Sequence, residues 1–255
     1  MKLDASAPVA LITGAGRGVG ADVSRLLARN GYRVALSARS SDQLHQTAQS
    51  CDGETLVIAG DITSAGFVDE LFDEIEQTWA PVEALVVNAG AGSSAPLAAT
   101  TDEDWQQALD LNLTAPFRCI RRAIPHMIEA KYGRVVAIGS TASKIGEPYI
   151  AAYTASKHGL LGLVRSAAAE VARHGVTVNA ICPGYIDSPM TDQTVASIAE
   201  KTGRDPAQAR EIIERKQPHG KLIDPTEVAA AVWMCISNGA INGQGINVDG
   251  GTVQS

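Results

Sequence analysis

Apolar and polar positions come in alternating blocks along almost the whole chain. Residues 8–13 are a short apolar run rich in Val, Ile and Leu, the pattern of a strand buried on both faces. A glycine cluster follows, then a helical period through Val23, Leu26 and Leu27, with Gly31 where a helix end favours glycine. Further strand runs fall at 33–37, 55–59, 83–88, 134–139, 176–181 and 246–248. Helical stretches at 42–49, 66–78, 102–129, 154–174 and 226–236 separate them. Strands alternating with helices imply βαβ units. The pattern predicts an α/β fold: a single doubly wound domain over 1–255, with a mostly parallel sheet and helices on both faces. No internal repeat, low-complexity tract or linker divides it.

One stretch stands outside this alternation. Between 189 and 220, Val195, Ile198 and Ala199, then Ala209, Ile212 and Ile213, mark two amphipathic helices. Asp205-Pro206 suits the start of the second, with proline at the first helical position. The segment is long, densely charged from Lys201 to Arg215, and has Gly203 between its helical stripes. It is expected to be a mobile lid over the substrate.

Composition narrows the function classes. Apolar residues make up 45%, enough for a large core, while aromatics are only 4%, which suits helices on a parallel sheet. A net charge of −7 removes the broad basic field of a nucleic-acid binder. Cys51, Cys119, Cys182 and Cys235 are scattered and form no C-x-x-C pair, so buried reduced thiols are expected and no metal site. The opening residues 1–4 show no signal-peptide pattern, and no apolar run reaches the ~18 residues of a membrane span. These features predict a cytoplasmic protein with no membrane or nucleic-acid partner.

Ligands of doubly wound sheets bind beyond the carboxyl ends of the strands, near the point where strand order reverses. Thr13-Gly14, Asn88-Ala89-Gly90, Ser140 and Pro183-Gly184 all follow strand runs. The turn Gly14-Ala15-Gly16-Arg17-Gly18-Val19-Gly20 joins the first strand to the first helix. Glycines there let the backbone approach a pyrophosphate held at the helix N-terminus. Tyr153 and Lys157, at i and i+4, share one helix face. An ammonium beside a phenol favours the phenolate and is expected to lower the Tyr153 pKa toward neutrality. Ser140 can donate a hydrogen bond to a carbonyl undergoing reduction. His158 falls on another helix face and reads as a packing residue, and the other histidines lack ligand spacing. Arg121-Arg122 reads as a solvated or interface patch.

Taken together, these motifs resemble the short-chain dehydrogenase/reductase family over essentially the whole length, with ketoreductases and 3-oxoacyl reductases as the nearest type. The resemblance implies a Rossmann-type fold and a catalytic tetrad of Asn112, Ser140, Tyr153 and Lys157. Tyr153 would exchange the proton, Ser140 would polarise the carbonyl, and Lys157 would hold the nicotinamide ribose. Asn112 would hold a water of the proton relay. The cofactor would lie along Gly14, Arg17, Gly18, Val19, Gly20, Arg39, Asp61, Ile62, Asn88 and Gly90. Tyr153, Lys157, Pro183, Gly184, Ile186 and Ser188 would complete its site, with Asp61 at adenine and Pro183-Gly184 over the nicotinamide. No metal is required. Two positions depart from the family pattern: Val87 replaces the first Asn of Asn-Asn-Ala-Gly, and Ser188 replaces a Thr.

Cofactor choice can be read from charge. An NAD site needs a carboxylate at the end of the second strand, and Ala38 stands there, with no Asp or Glu between Asp22 and Asp42. Arg17 and Arg39 flank the position, so NADP(H) is expected, with NAD(H) as the alternative and Ser37 and Ser40 as secondary donors. The expected reaction interconverts a ketone and a secondary alcohol, the substrate being a 3-oxoacyl thioester or acid. An NAD-dependent dehydrogenase of a secondary alcohol or 3-hydroxy acid is the alternative. A cofactor-binding regulator without turnover is more remote, since Tyr153 and Lys157 are both intact. The family resemblance further implies a homo-oligomer, a dimer or tetramer, through the helices at 102–129 and 154–174.

Overall fold

A computed structural model describes residues 7–254, so residues 1–4, read above for a leader, lie outside the described part. Seven strands form one sheet: β1 (Val9–Thr13), β2 (Arg33–Ala38), β3 (Thr55–Ala59), β4 (Ala84–Val87), β5 (Gly133–Ile138), β6 (Val176–Pro183) and β7 (Gly245–Val248). Their order is β3-β2-β1-β4-β5-β6-β7, and every pairing is parallel. Strand order reverses between β1 and β4, so the crevice of a doubly wound sheet opens there.

The period-2 pleat of β1 divides the core. Val9 and Leu11 point to one face, Ala10 and Ile12 to the other, and all four are fully buried. The first face is covered by α3 (Ala65–Thr78), α5 (Ala115–Glu129) and α6 (Ala151–Val171) through residues such as Phe72, Met127 and Leu160. The second face is covered by α1 (Gly18–Arg29), α2 (Ser41–Gln49) and α9 (Pro225–Ser237) through Leu27, Leu44 and Val232. The apolar stripes of the sequence are thus the sheet-facing sides of these helices.

The structure departs from the expected single helix at 102–129. Helix α4 (Asp102–Leu109) runs into a π-helical turn, Asp110–Thr114, before α5 begins. The wider turn lets Asn112, fully buried, bond sideways: its Nδ2 donates to the Ala91 and Ala108 carbonyls, and its Oδ1 accepts from the Ala91 amide. A buried amide that must satisfy three groups outweighs regular helix here. Arg122 also differs from the expected solvated patch. It is 22% exposed and holds Asp73 and Glu76 of α3 at 2.8 Å, which ties α5 to α3.

All four cysteines are free, three buried and Cys51 half-buried. Among the described residues no helix is long and apolar enough to cross a membrane, and no group of three or more His, Cys, Asp or Glu could hold a metal.

The segment at 189–220 forms the two expected helices, α7 (Pro189–Thr202) and α8 (Pro206–Glu214). Ser188 and Asp205 cap their N-termini, and Gly203 ends α7 in the left-handed conformation, φ +68°. Both helices pack around a small cluster of their own, with Val195, Ala209, Ile213 and Leu222 buried. This cluster is separate from the two faces of the main core, and α8 reaches the loop after β6 through Arg210, 2.8 Å from Asp187.

Because so little apolar area is buried there, backbone amides of α7 and α8 should exchange faster than those of α6 in the ligand-free protein, by at least about tenfold. Residue-resolved hydrogen exchange measures this directly. Equal protection would mean that the two helices open only with the whole domain.

Candidate active site

The site begins with a clamp across the crevice. Thr13, at the end of β1, accepts through Oγ1 from the amides of Asn88 (3.0 Å) and Ala89 (3.1 Å). Asn88 answers through Nδ2, which donates to the carbonyls of Thr13 and Gly14, both at 3.0 Å. One amide side chain therefore closes the junction, and Val87, in place of the family's first Asn, is buried in the core instead.

The glycine turn fits a dinucleotide pyrophosphate. Gly18 has φ +54°, and a Cβ placed there would meet nothing within 4 Å, so its surface faces open space. A Cβ on Gly20 would lie 2.2 Å from the Gly14 carbonyl, so only glycine lets α1 start this close to the turn. The N-cap of α1 is Arg17, which makes no side-chain capping bond, and the first turn holds no acid. The amides at that helix start are left for an anionic ligand.

These features open on one cleft of about 1480 Å³. Of the residues expected from sequence, Gly14, Arg17, Gly18, Val19, Arg39, Asp61, Ile62, Asn88 and Gly90 line its first half. Ser140, Tyr153, Lys157, Pro183, Gly184, Ile186 and Ser188 line the second. Gly20 and Asn112 lie behind its wall, Gly20 against the turn and Asn112 fully buried.

At the first end, Ala38 also lines the cleft, so no carboxylate stands at the end of β2. Arg17 and Arg39 both line it, as do Ser37 and Ser40, the latter engaged as the N-cap of α2. Asp61 binds the amide and hydroxyl of Thr63 through Oδ1, at 2.9 and 2.8 Å. Those two bonds, helped by the charge of Arg39, hold its carboxyl below the usual carboxylate range.

At the other end the tetrad residues meet. Lys157 is 4% exposed, and its Nζ donates to the Ile138 carbonyl at 2.8 Å, where β5 ends. A Cβ on Gly90 would sit 2.9 Å from Asn112 Oδ1 and 3.5 Å from Lys157 Nζ, so glycine is what lets these two converge. Burial pushes the Lys157 pKa down to about 8. Ser140 starts the short turn Thr141–Ser143, its Oγ accepting from the Ala142 amide, and its hydroxyl acts on the Tyr153 phenol to favour the phenolate.

Tyr153 runs against the sequence expectation. Its pKa is pushed up to about 12, because burial outweighs the lowering effect of the Ser140 bond, and the charge of Glu147 adds to the rise. The Lys157 amine lies 5.6 Å from the ring centroid, and its hydrogen bond goes to a backbone carbonyl rather than to the phenol. The phenol is accordingly fully protonated at neutral pH.

Three residues of this end went unnoticed in the sequence. Tyr185, after Pro183-Gly184, donates its hydroxyl to Glu147 at 3.0 Å. Both line the cleft. Gln217, 1% exposed, receives the Tyr185 amide (3.1 Å) and donates to the carbonyls of Tyr185 (3.0 Å) and Lys221 (2.6 Å). None belongs to a spaced motif. The one available signal was that Glu147 is the sole acid between Ser140 and Tyr153.

Comparisons with known proteins agree with this geometry. The family model described as short chain dehydrogenase matches residues 8–199. The 3-oxoacyl-acyl-carrier-protein reductase FabG of Rickettsia prowazekii is 36% identical over 251 residues, covering 98% of both chains. A 3-oxoacyl-acyl-carrier-protein reductase of Synechocystis is 34% identical, covering 97% of this chain and 98% of its own. Among solved structures, a tryptophan variant of actinorhodin polyketide ketoreductase with NADPH superposes with a TM-score of 0.94 at 33% identity over 98% of each chain. Levodione reductase gives 0.90 at 27% identity over 96% of each.

The lowered Lys157 pKa has a stability consequence. Its folded value of about 8 lies below the ordinary lysine value, 10.5, so between those pH values the unfolded chain binds more protons. The burial penalty is full below about 8 and fades as pH rises to 10.5. The melting temperature of the ligand-free wild type should therefore rise relative to Lys157→Met across that window. Parallel melting curves at every pH would place the amine in a solvated environment.

Proposed function

The chain belongs to the short-chain dehydrogenase/reductase family and is an NAD(P)-dependent oxidoreductase of the ketoreductase type; from that premise we propose that it reduces a 3-oxoacyl compound to the alcohol with NADPH. The observation that carries this reading is a single cleft with a protonated phenol at one end and, at the other, two arginines with no carboxylate at the end of β2.

The glycine turn and the free amides of α1 would hold the pyrophosphate, and Arg17 and Arg39 the 2′-phosphate. The cofactor, when bound, supplies the hydride and its two electrons to the carbonyl carbon. Tyr153 gives its hydroxyl proton to the carbonyl oxygen, so that ketone plus hydride plus proton become the secondary alcohol. Its raised pKa keeps that proton available for reduction at neutral pH. Ser140 donates to the same oxygen and polarises it. Lys157 stabilises the phenolate left behind and binds the ribose hydroxyls, while Asn112 props the wall beside it. Ser188 turns its hydroxyl to the carboxamide, and Asp61 meets the adenine. The 189–220 segment acts as a lid, closing over the ketone and excluding water.

Exposed Trp105 on α4 and Phe117 on α5, each 41% accessible, support a homo-oligomer formed through these helices. Four free cysteines suit a reducing compartment such as the cytoplasm.

Two variants test this reading. Tyr153→Phe keeps the ring but removes the proton, so turnover should fall roughly 10²-fold or more while NADPH fluorescence still reports binding. Near wild-type turnover would take Tyr153 out of the acid role. Arg39→Ala should weaken NADPH binding roughly ten- to a hundredfold and leave NADH nearly unchanged. Equal wild-type affinity for both cofactors, or equal weakening of both, would overturn the NADP assignment.

A further inference from the structure

The substrate half of the cleft lies beyond Tyr153, between the loop that carries Glu147 and helix α7. Its lining there mixes apolar side chains such as Tyr149, Ile150, Met190 and Ile198 with uncharged polar ones such as Gln193, Thr194 and Ser197. Tyr149 is held at φ +70°, an uncommon conformation for a residue with a side chain, and its carbonyl accepts from the Ala95 amide at 2.8 Å. The loop that carries Glu147 is thereby fastened to the opposite wall.

Charge in this half is one-sided. Of the basic side chains lining the cleft, Arg17 and Arg39 lie at the far end, and Lys157 is directed at the Ile138 carbonyl. Lys201 is in the last turn of α7, at the distant end of that helix. Of the acids lining the cleft, Asp61 lies at the far end and Asp110 in the π turn, while Glu147 stands on the loop that leads into α6 and its charge adds to the rise of the Tyr153 phenol. Its Oε2 accepts from Tyr185 Oη at 3.0 Å and from Lys216 Nζ at 3.1 Å, and Lys216 also donates to Tyr185 Oη at 3.1 Å. Lys216 lies outside the cleft lining, so it steadies the carboxylate from behind. Both bonds converge on one oxygen, and Oε1 has no partner among the described residues.

We propose that Glu147, held in place by Tyr185 and Lys216, is a specificity-determining residue that excludes ketones bearing a carboxylate near the carbonyl and so selects uncharged carbonyl compounds. The inference rests on the ketone-reducing reading above and narrows it to neutral acyl derivatives, such as thioesters and esters, and away from free 3-oxo acids. The physical basis is simple. A 3-oxo acid that brings its carbonyl to Tyr153 carries its anion only two bonds further, in a half of the cleft whose wall carries the Glu147 carboxylate while that carboxylate's counter-ion, Lys216, lies outside the lining. Rejection by an unpaired like charge is discrimination through repulsion, which shape alone cannot supply between near-isosteric substrates.

Acetoacetamide and acetoacetate differ little in shape but differ in charge, so the ratio of their kcat/KM values reads charge selection alone. With NADPH, the wild type should favour acetoacetamide by at least about tenfold. Glu147→Gln should shrink the ratio at least about threefold, mainly through faster acetoacetate reduction. Lys216→Met, which leaves the carboxylate without its counter-ion, should widen it. This opposite shift decides the matter if the first variant fails to fold. Equal use of both substrates by the wild type, or a ratio that neither variant moves, overturns the role of Glu147 and leaves ketone reduction standing. Failure to reduce acetoacetamide and ethyl acetoacetate with either cofactor overturns the underlying reading itself.

Discussion

Four hydrogen bonds between Thr13-Gly14 and the Asn88-Ala89 corner hold the ends of β1 and β4 together at the one place where the sheet changes direction. Everything functional is measured from that corner. On one side it sets the glycine turn and the start of α1, and on the other it sets Gly90, against which Lys157 and Asn112 converge. The clamp adds side-chain bonds at the strand ends to what the paired strands and the helices packed across both halves already supply.

A second tension is electrostatic. The lysine amine is almost wholly buried and has one backbone carbonyl as its main recipient, while the neighbouring phenol, half-buried at the cleft wall, receives no hydrogen bond from that amine. Burial drives the two pKa values apart, the lysine down to about 8 and the tyrosine up to about 12. Both shifts favour the neutral form of each group, and both are reduced by any partner that supplies polar contacts. The pair is therefore strained toward binding rather than at rest.

The sheet, its helices and the two-helix insertion were legible because each rests on periodicity and capping, which are local. The cleft residues were legible because glycine turns, Tyr-x-x-x-Lys spacing and strand ends are local as well. Three things were not. The π turn at Asp110–Thr114 depends on the bonds of Asn112 to Ala91, twenty-one positions away in sequence. The direction of the Tyr153 shift depends on how deeply the ring is packed, which no spacing reveals. The Glu147–Tyr185–Lys216 group joins three separate loops, with up to 69 positions between partners. In each case the deciding contact is between residues far apart along the chain.

Gln217 places a mechanical limit on the insertion. Its side chain is bonded to the Tyr185 amide and carbonyl and to the Lys221 carbonyl, and the Gly184 α-carbon sits directly against it. The far end of α8 is thus riveted to the same short loop from which α7 departs. A flap fastened at both ends to one spot cannot peel open from either side. With these bonds intact, any rigid-body opening of the segment would have to turn about a short axis beside Gly184, like a hatch on a single hinge. The bend at Gly203 is then the point that travels furthest.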